Sequence, residues 1–221
     1  TATSAPSSSG ECSVRKKAWF PRPSRASSAP CLGSGRMLGR SGPAHKRDVQ
    51  PPPSLLRAEV DVAQLLGDMK SLMLATVYED QTPLASYTPF ATADNDSGLW
   101  ILVSDLAGHA QNLSRSGLCS CLLIRDEQDS SQVYVRERLQ YEMKSVEYPR
   151  DHPNWERGIV ALRDRQGALV DTLTSLADFR LFLLAPLSGR YVVGFGKAYE
   201  LKVTSLFSID SHLQGPTGPK K

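Results

Sequence analysis

Residues 72–113, LMLATVYEDQTPLASYTPFATADNDSGLWILVSDLAGHAQNL, constrain this chain more than any other stretch. Short apolar, partly β-branched runs alternate there with turn chemistry. Residues 72–77 form one extended run, 78–82 a turn and 83–90 a second run. The sequence DNDSG at 94–98 is a dense turn cluster, and 100–103 reads as a third strand. The result is a compact β unit that delivers a polar turn and a helix start. Ser104 or Asp105 is placed to cap that helix, with His109 and Asn112 near its first turns. Backbone N–H groups at a helix start favour an anion, so the pattern predicts a phosphate or carboxylate site there.

The flanking sequence surrounds this unit with more strands and a few helices. Leu55, Leu56, Val60, Val62, Leu65, Leu66 and Met69 fall at helical spacing, which predicts a helix over 55–70 capped by Ser54, with Glu59 and Asp61 in its early turns. LCSCLLI at 118–124 reads as a buried strand, with Cys119 and Cys121 as small hydrophobes on opposite faces. A charged turn follows at 125–131, then a long strand over 133–144. The two-residue strand period would put Arg136 and Arg138 on one face of it. Pro153 suits a first helical turn, and 155–170 carries a helical pattern. A short helical or turn piece at 173–177 precedes a strand over 179–184 that ends at Pro186. Residues 190–193 lead into Gly194-Phe-Gly196, read as a tight bend, and 197–203 closes the sheet. From Leu206 the chain is expected to fray. Six or seven strands with two or three helices suit a small barrel with attached helices.

Composition divides the chain. Residues 1–53 are Ser-, Pro-, Ala- and Arg-rich and hold nine Lys/Arg against two acids. Such a segment cannot bury enough apolar surface to offset its ordering entropy. It fits an organellar transit peptide; a disordered tail in a cytoplasmic protein or a translated non-coding leader are the alternatives. Pro51-Pro-Pro53 marks the boundary, with the folded domain over 54–215 and a flexible tail over 216–221. With the basic head set aside, the remainder carries about −4, which argues against a nucleic-acid-binding core. No apolar run reaches the roughly 18 residues of a membrane helix. Four cysteines, two of them (Cys12 and Cys31) in the head, show no metal spacing and imply no disulfide framework.

Five short motifs stand in order: PxASYxPF at 83–90, SxxxxHAxNL at 104–113, RxRL at 136–139, ADF at 177–179 and GFGxAY at 194–199. Together they resemble the FMN-binding split-barrel superfamily of pyridoxamine-5′-phosphate-oxidase-like proteins, and within it the haem-utilisation branch of HugZ/HutZ type. The likeness covers roughly residues 65 to 215. It implies a mostly β, α+β split barrel that dimerises and holds haem or FMN at the subunit interface. The functions it implies are tetrapyrrole binding with oxidative haem degradation, an FMN-dependent oxidoreductase, or a cofactor-binding protein without catalysis.

The candidate residues follow from both lines. His109 at a helix start is an anion or cofactor contact, or else a solvated helical histidine. Arg136 and Arg138 offer guanidinium forks to a phosphate or a haem propionate, or else form a solvated strand face paired with Glu137 or Asp126. In a flavin site Ser104, His109 and Arg138 would grip the phosphate. Asp178, between apolar neighbours, needs a partner. The resemblance implies that it bonds the haem-ligating histidine of a neighbouring subunit, and a turn role is the alternative. That histidine's family position falls on Pro216, which cannot bind iron. His212 is the nearest substitute, four residues earlier. No Ser-His-Asp order, zinc spacing or carboxylate pair stands out, so any chemistry is expected to come from a cofactor.

Overall fold

The structure, a computed structural model, describes residues 53–203 and 205–213. The basic head, the Pro51–Pro52 part of the boundary and the 216–221 tail lie outside the described residues. Four α-helices and nine strands are present among the described residues. Helix α1 (Pro53–Asp68) leads into β1 (Ser71–Val77), β2 (Pro83–Pro89), β3 (Ala91–Thr92) and β4 (Leu99–Ser104). Helix α2 (Gly108–Ser116), β5 (Leu118–Ile124), β6 (Arg138–Tyr148), α3 (Pro153–Gln166) and α4 (Leu169–Ser175) follow. The strands β7 (Phe179–Gly194), β8 (Lys197–Leu201) and β9 (Ile209–Leu213) complete the domain. The sheet is antiparallel in the order β2-β1-β5-β6-β7-β4-β3, with β8 and β9 added beside β7. Its two ends, β2 and β3, are consecutive halves of one run separated only by Phe90. That continuity closes the sheet into a barrel and leaves few free edges.

Two packed layers follow from the side-chain alternation of β4. Leu99, Ile101 and Val103 point into the barrel with Leu72, Leu74, Leu123, Leu139, Tyr141, Phe182 and Tyr191. Ala58, Val62, Leu65 and Leu66 of α1 join them there. Trp100 and Leu102 point out, beneath Ile159 and Leu162 of α3 and Val170 of α4. A strand buried on both faces reads as a continuous apolar run, as LWILV does. Helix α3 can approach this closely because residue 158 is glycine: a Cβ there would stand 2.8 Å from Leu181 Cδ2 and 2.9 Å from Trp100 Cε3.

Several expectations are corrected. Helix α1 begins at Pro53, whose missing N–H suits a first turn, so Ser54 lies inside the helix instead of capping it. Residues 133–144 are not one strand: Val133–Val135 is a 3-10 turn and β6 starts at Arg138. The helix expected over 155–170 breaks at Gly167, where φ is +89°. The pieces at 179–184 and 190–193 are one strand, β7. Its register slips at Leu187, so Pro186 sits beside a bulge rather than ending the strand. There the neighbour on one side of β7 changes from β4 to β8. The chain beyond Leu206 does not fray at once: Ile209–Leu213 pairs with β8. Cys119 and Cys121 are both buried, hence on one face, because residues two apart in a strand share a face.

Candidate functional site

Strand register builds the centre of the site. Ser104, the last residue of β4, lies opposite Phe179, the first of β7. Asp178 therefore meets Ser104 across 74 residues of sequence, and Ser104 Oγ donates to Asp178 Oδ2 at 2.6 Å. That length lies in the range of a charge-assisted O–H···O⁻ bond. The backbone seals the same junction, with Asp105 N–H donating to Asp178 O at 2.7 Å. Ser104 Oγ in turn accepts from Leu106 N–H at 3.2 Å. Neither Ser104 nor Asp105 caps α2, whose N-cap is Ala107 with no side-chain bond. The serine is instead committed to the turn and to Asp178.

On its other side, the Asp178 turn is held by Arg150, whose guanidinium donates to Thr174 O and, at 2.6 Å, to Leu176 O. Arg180, two residues after Asp178, is occupied elsewhere. It contacts Asp105 at 2.7 Å and Glu147 at 2.6 Å. Among the described residues Asp178 has no cationic partner, and nothing reaches its Oδ1.

His109 stands one turn into the site, in the first turn of α2, and half-buried. Ser86 Oγ on β2 donates to Leu74 O at 3.2 Å. Having given its hydrogen there, it accepts from His109 Nδ1, 3.0 Å away. The neutral ring then carries its proton on Nδ1 and leaves Nε2 bare. Burial holds the ring's pKa below the usual histidine value, which favours this neutral form. Tyr78 roofs the helix start: a Cβ on Gly108 would stand 2.6 Å from its hydroxyl. Asn112 is buried and donates to Thr76 Oγ1 at 3.1 Å, so it ties α2 to β1.

The two arginines do not form a shared fork. Because β6 begins only at Arg138, Arg136 lies before it and folds back, donating to Arg125 O at 2.9 and 2.7 Å and to Glu127 at 3.0 Å. Arg138 lies on the outward face of β6 and, among the described residues, makes one bond, from Nη1 to Arg136 O at 3.0 Å. Along that face Gln140 and Glu142, with Met73, Leu122 and Arg190 of neighbouring strands, line an open trough of about 820 Å³. Ligand sites run to roughly 300–1,000 Å³. The trough lies on the sheet face opposite α2, so one protomer does not bring Arg138 together with His109 and Asp178. His212 is placed on β9, opposite Tyr199, with Nε2 3.0 Å from Gly196 O and its ring edge-on to Tyr199. It is not in a loose tail. No cluster of metal-ligating side chains occurs among the described residues.

Ser86, Tyr78 and Arg150 are functional neighbours that no sequence expectation includes. Ser86 lies inside the PxASYxPF motif. Nothing local marked Arg150, whose role depends on a turn 24 residues later.

No family model matches the chain. A heme oxygenase, HutZ of Vibrio cholerae, is 36% identical over 145 residues, which cover 66% of this chain and 81% of that protein. The crystal structure of HutZ, described as a haem-storage protein, superposes with a TM-score of 0.55 at 34% identity, covering 58% of this chain and 89% of that one. Campylobacter jejuni ChuZ superposes at 0.64 with 22% identity, over 75% of this chain and 66% of that one, a likeness of fold. A Clostridium acetobutylicum protein of the pyridoxinephosphate oxidase family shares the fold at 0.50 and 11% identity, over 68% of this chain and 98% of that one. The α+β split barrel expected from the motifs is thereby found in this chain and in these relatives. With 81% of HutZ matched at 36% identity, the chain belongs to the HutZ-type haem-utilisation family of pyridoxamine-oxidase-like split barrels.

Proposed function

We propose that this chain binds haem between two protomers and degrades it oxidatively. The observation that carries the reading is the 36% identity to a heme oxygenase across most of that protein's length. The residues present fit such a group. Arg138 has donors to spare for a propionate, His109 has a bare Nε2, and Asp178 offers an uncommitted anionic oxygen to an imidazole N–H. His212 remains the candidate axial ligand of this chain; its Nε2, which donates to Gly196 O at 3.0 Å, would have to leave that carbonyl to bind iron and leave Nδ1–H for Asp178. When bound, the haem iron supplies oxygen activation, and an external reductant supplies the electrons. The residues named would bind and orient the group. The flavin reading is weaker for a physical reason: Ser104, the candidate phosphate grip, is bonded to a carboxylate, whose charge repels phosphate.

The second protomer is assigned to the outward sheet face. Tyr87, Met73 and Leu118 are 67%, 55% and 56% exposed there, beside the trough. Closing that face against a second copy would bury these apolar side chains. The composition of residues 1–53 supports import into an organelle, with a plastid as the proposed destination. Among the described residues no helix is long and apolar enough to cross a membrane.

Haemin and FMN titrations of the full chain, followed by absorbance, test the reading. A Soret band that saturates at one haemin per protomer and is indifferent to excess FMN is expected. Saturable FMN binding with only unsaturable haemin partitioning would overturn it.

A further inference from the structure

A carboxylate held on one oxygen and bare on the other is an unusual arrangement to leave half-buried. Arg180 is close in sequence yet turned to Asp105 and Glu147, and it makes no ion pair with Asp178 among the described residues. The backbone on both sides of Asp178 is fixed by Asp105 N–H and by the Arg150 guanidinium. What remains free is rotation of the carboxylate about its last bond, a broad torsion for aspartate. Ser104 Oγ removes that freedom by engaging Oδ2 at 2.6 Å.

We infer that Ser104 is a positioning residue: its hydroxyl locks one oxygen of Asp178 so that the other faces outward as the acceptor for the N–H of the iron-bound imidazole. The inference rests on the haem reading above and adds to it a residue that does not itself touch the ligand. The hydroxyl has one hydrogen, and Leu106 N–H occupies its acceptor side. Its hydrogen is thus directed at the carboxylate, and the serine cannot turn away without abandoning the Leu106 amide. Threonine can make the same two bonds, whereas alanine can make neither.

The test compares wild type, Ser104→Ala, Ser104→Thr and Asp178→Asn, all as full chains. In the haemin-loaded, reduced proteins, resonance Raman reads the iron–imidazole stretch. A strong hydrogen bond from the imidazole to a carboxylate raises ligand basicity and hence this frequency. The frequency is expected to fall in Asp178→Asn, to fall part-way in Ser104→Ala and to be restored in Ser104→Thr. In the ligand-free proteins, the ¹³Cγ resonance of Asp178 should move in Ser104→Ala and stay in Ser104→Thr. Unchanged β4 and β7 amide resonances would establish that the fold is intact. If Asp178→Asn lowers the frequency and Ser104→Ala does not, the inference about Ser104 is overturned and the haem reading stands. If Asp178→Asn leaves the band unmoved, or no iron–imidazole band exists, the reading beneath it falls and takes the inference with it.

Discussion

Arg165→Met tests how the helical layer is fastened to the barrel. Helix α1 ends with carbonyls that its own hydrogen bonds cannot satisfy. Arg165, in the last turn of α3, donates to Leu66 O at 2.5 Å, to Gly67 O at 3.2 Å and to Met69 O, while its guanidinium lies 4.9 Å over the Phe90 ring. Leu66 is 1% exposed, so its carbonyl cannot readily regain water, at a cost of about 1–3 kcal/mol. The Gly67 carbonyl is solvent-facing and Met69 is half-buried, so each adds only about 0.5 kcal/mol. Against this, burial works against the charged guanidinium, holding its pKa below the usual arginine value, and Nε has no partner among the described residues. Removing that burden returns roughly 1 kcal/mol. The net loss is about 2 kcal/mol, a fall of roughly 4–8 °C in Tm for a domain of this size. Urea unfolding followed by fluorescence reads it, with methionine keeping the apolar stem against Phe90. A loss under about 0.5 kcal/mol would refute the claim that these carbonyls depend on Arg165.

Three other outcomes are expected. Gly158→Ala forces α3 off Trp100 and Leu181, costing about 1–3 kcal/mol of overpacking against roughly 1 kcal/mol of helix propensity gained; an unchanged urea midpoint would contradict the close approach. His109 titrates below its unfolded value of about 6.5, so its contribution is fully present above that pH and is lost as pH falls through its lower folded pKa. Stability of His109→Gln should therefore fall less than wild type between pH 7.5 and 5.5, and parallel profiles would count against a buried neutral ring. Glu147→Gln releases Arg180 from its Glu147 pair, at a stability cost of under about 1 kcal/mol. The freed guanidinium can then neutralise Asp178, weakening haemin affinity about tenfold; an unaltered Kd would show that Arg180 does not compete.

Most strands were legible because their signals are local. LCSCLLI matches β5 residue for residue, and the turn cluster at 94–98 separates β3 from β4. Misreadings arose where tertiary pairing overrides local chemistry. Pro186 looked like a strand end, yet a bulge at Leu187 absorbs it because β6 continues alongside. IDSHL has weak strand character and becomes β9 because β8 offers an open edge. The Arg136–Arg138 alternation was misread because Val133–Val135 turns rather than extends, so the two-residue period starts only at Arg138.

The residues of the candidate site stand in the motifs, but their pairing does not. Ser104 and Asp178 each stood in a motif, but nothing in either motif records that β4 and β7 are neighbours whose register ends at Ser104 and Phe179. The pairing changes what each residue can do. A serine free at a helix start would be a phosphate donor; bonded to a carboxylate it disfavours phosphate and favours a cation or an N–H. An aspartate beside an arginine would ordinarily pair with it, but Arg180 is bonded to Glu147 and Asp105 instead. The proposed preference of the site for an N–H donor over an anion therefore rests on a competition among four acidic and basic side chains, two on β6 and β7 and two in the turns after β4 and before β7. That competition exists only once β4, β6 and β7 have paired.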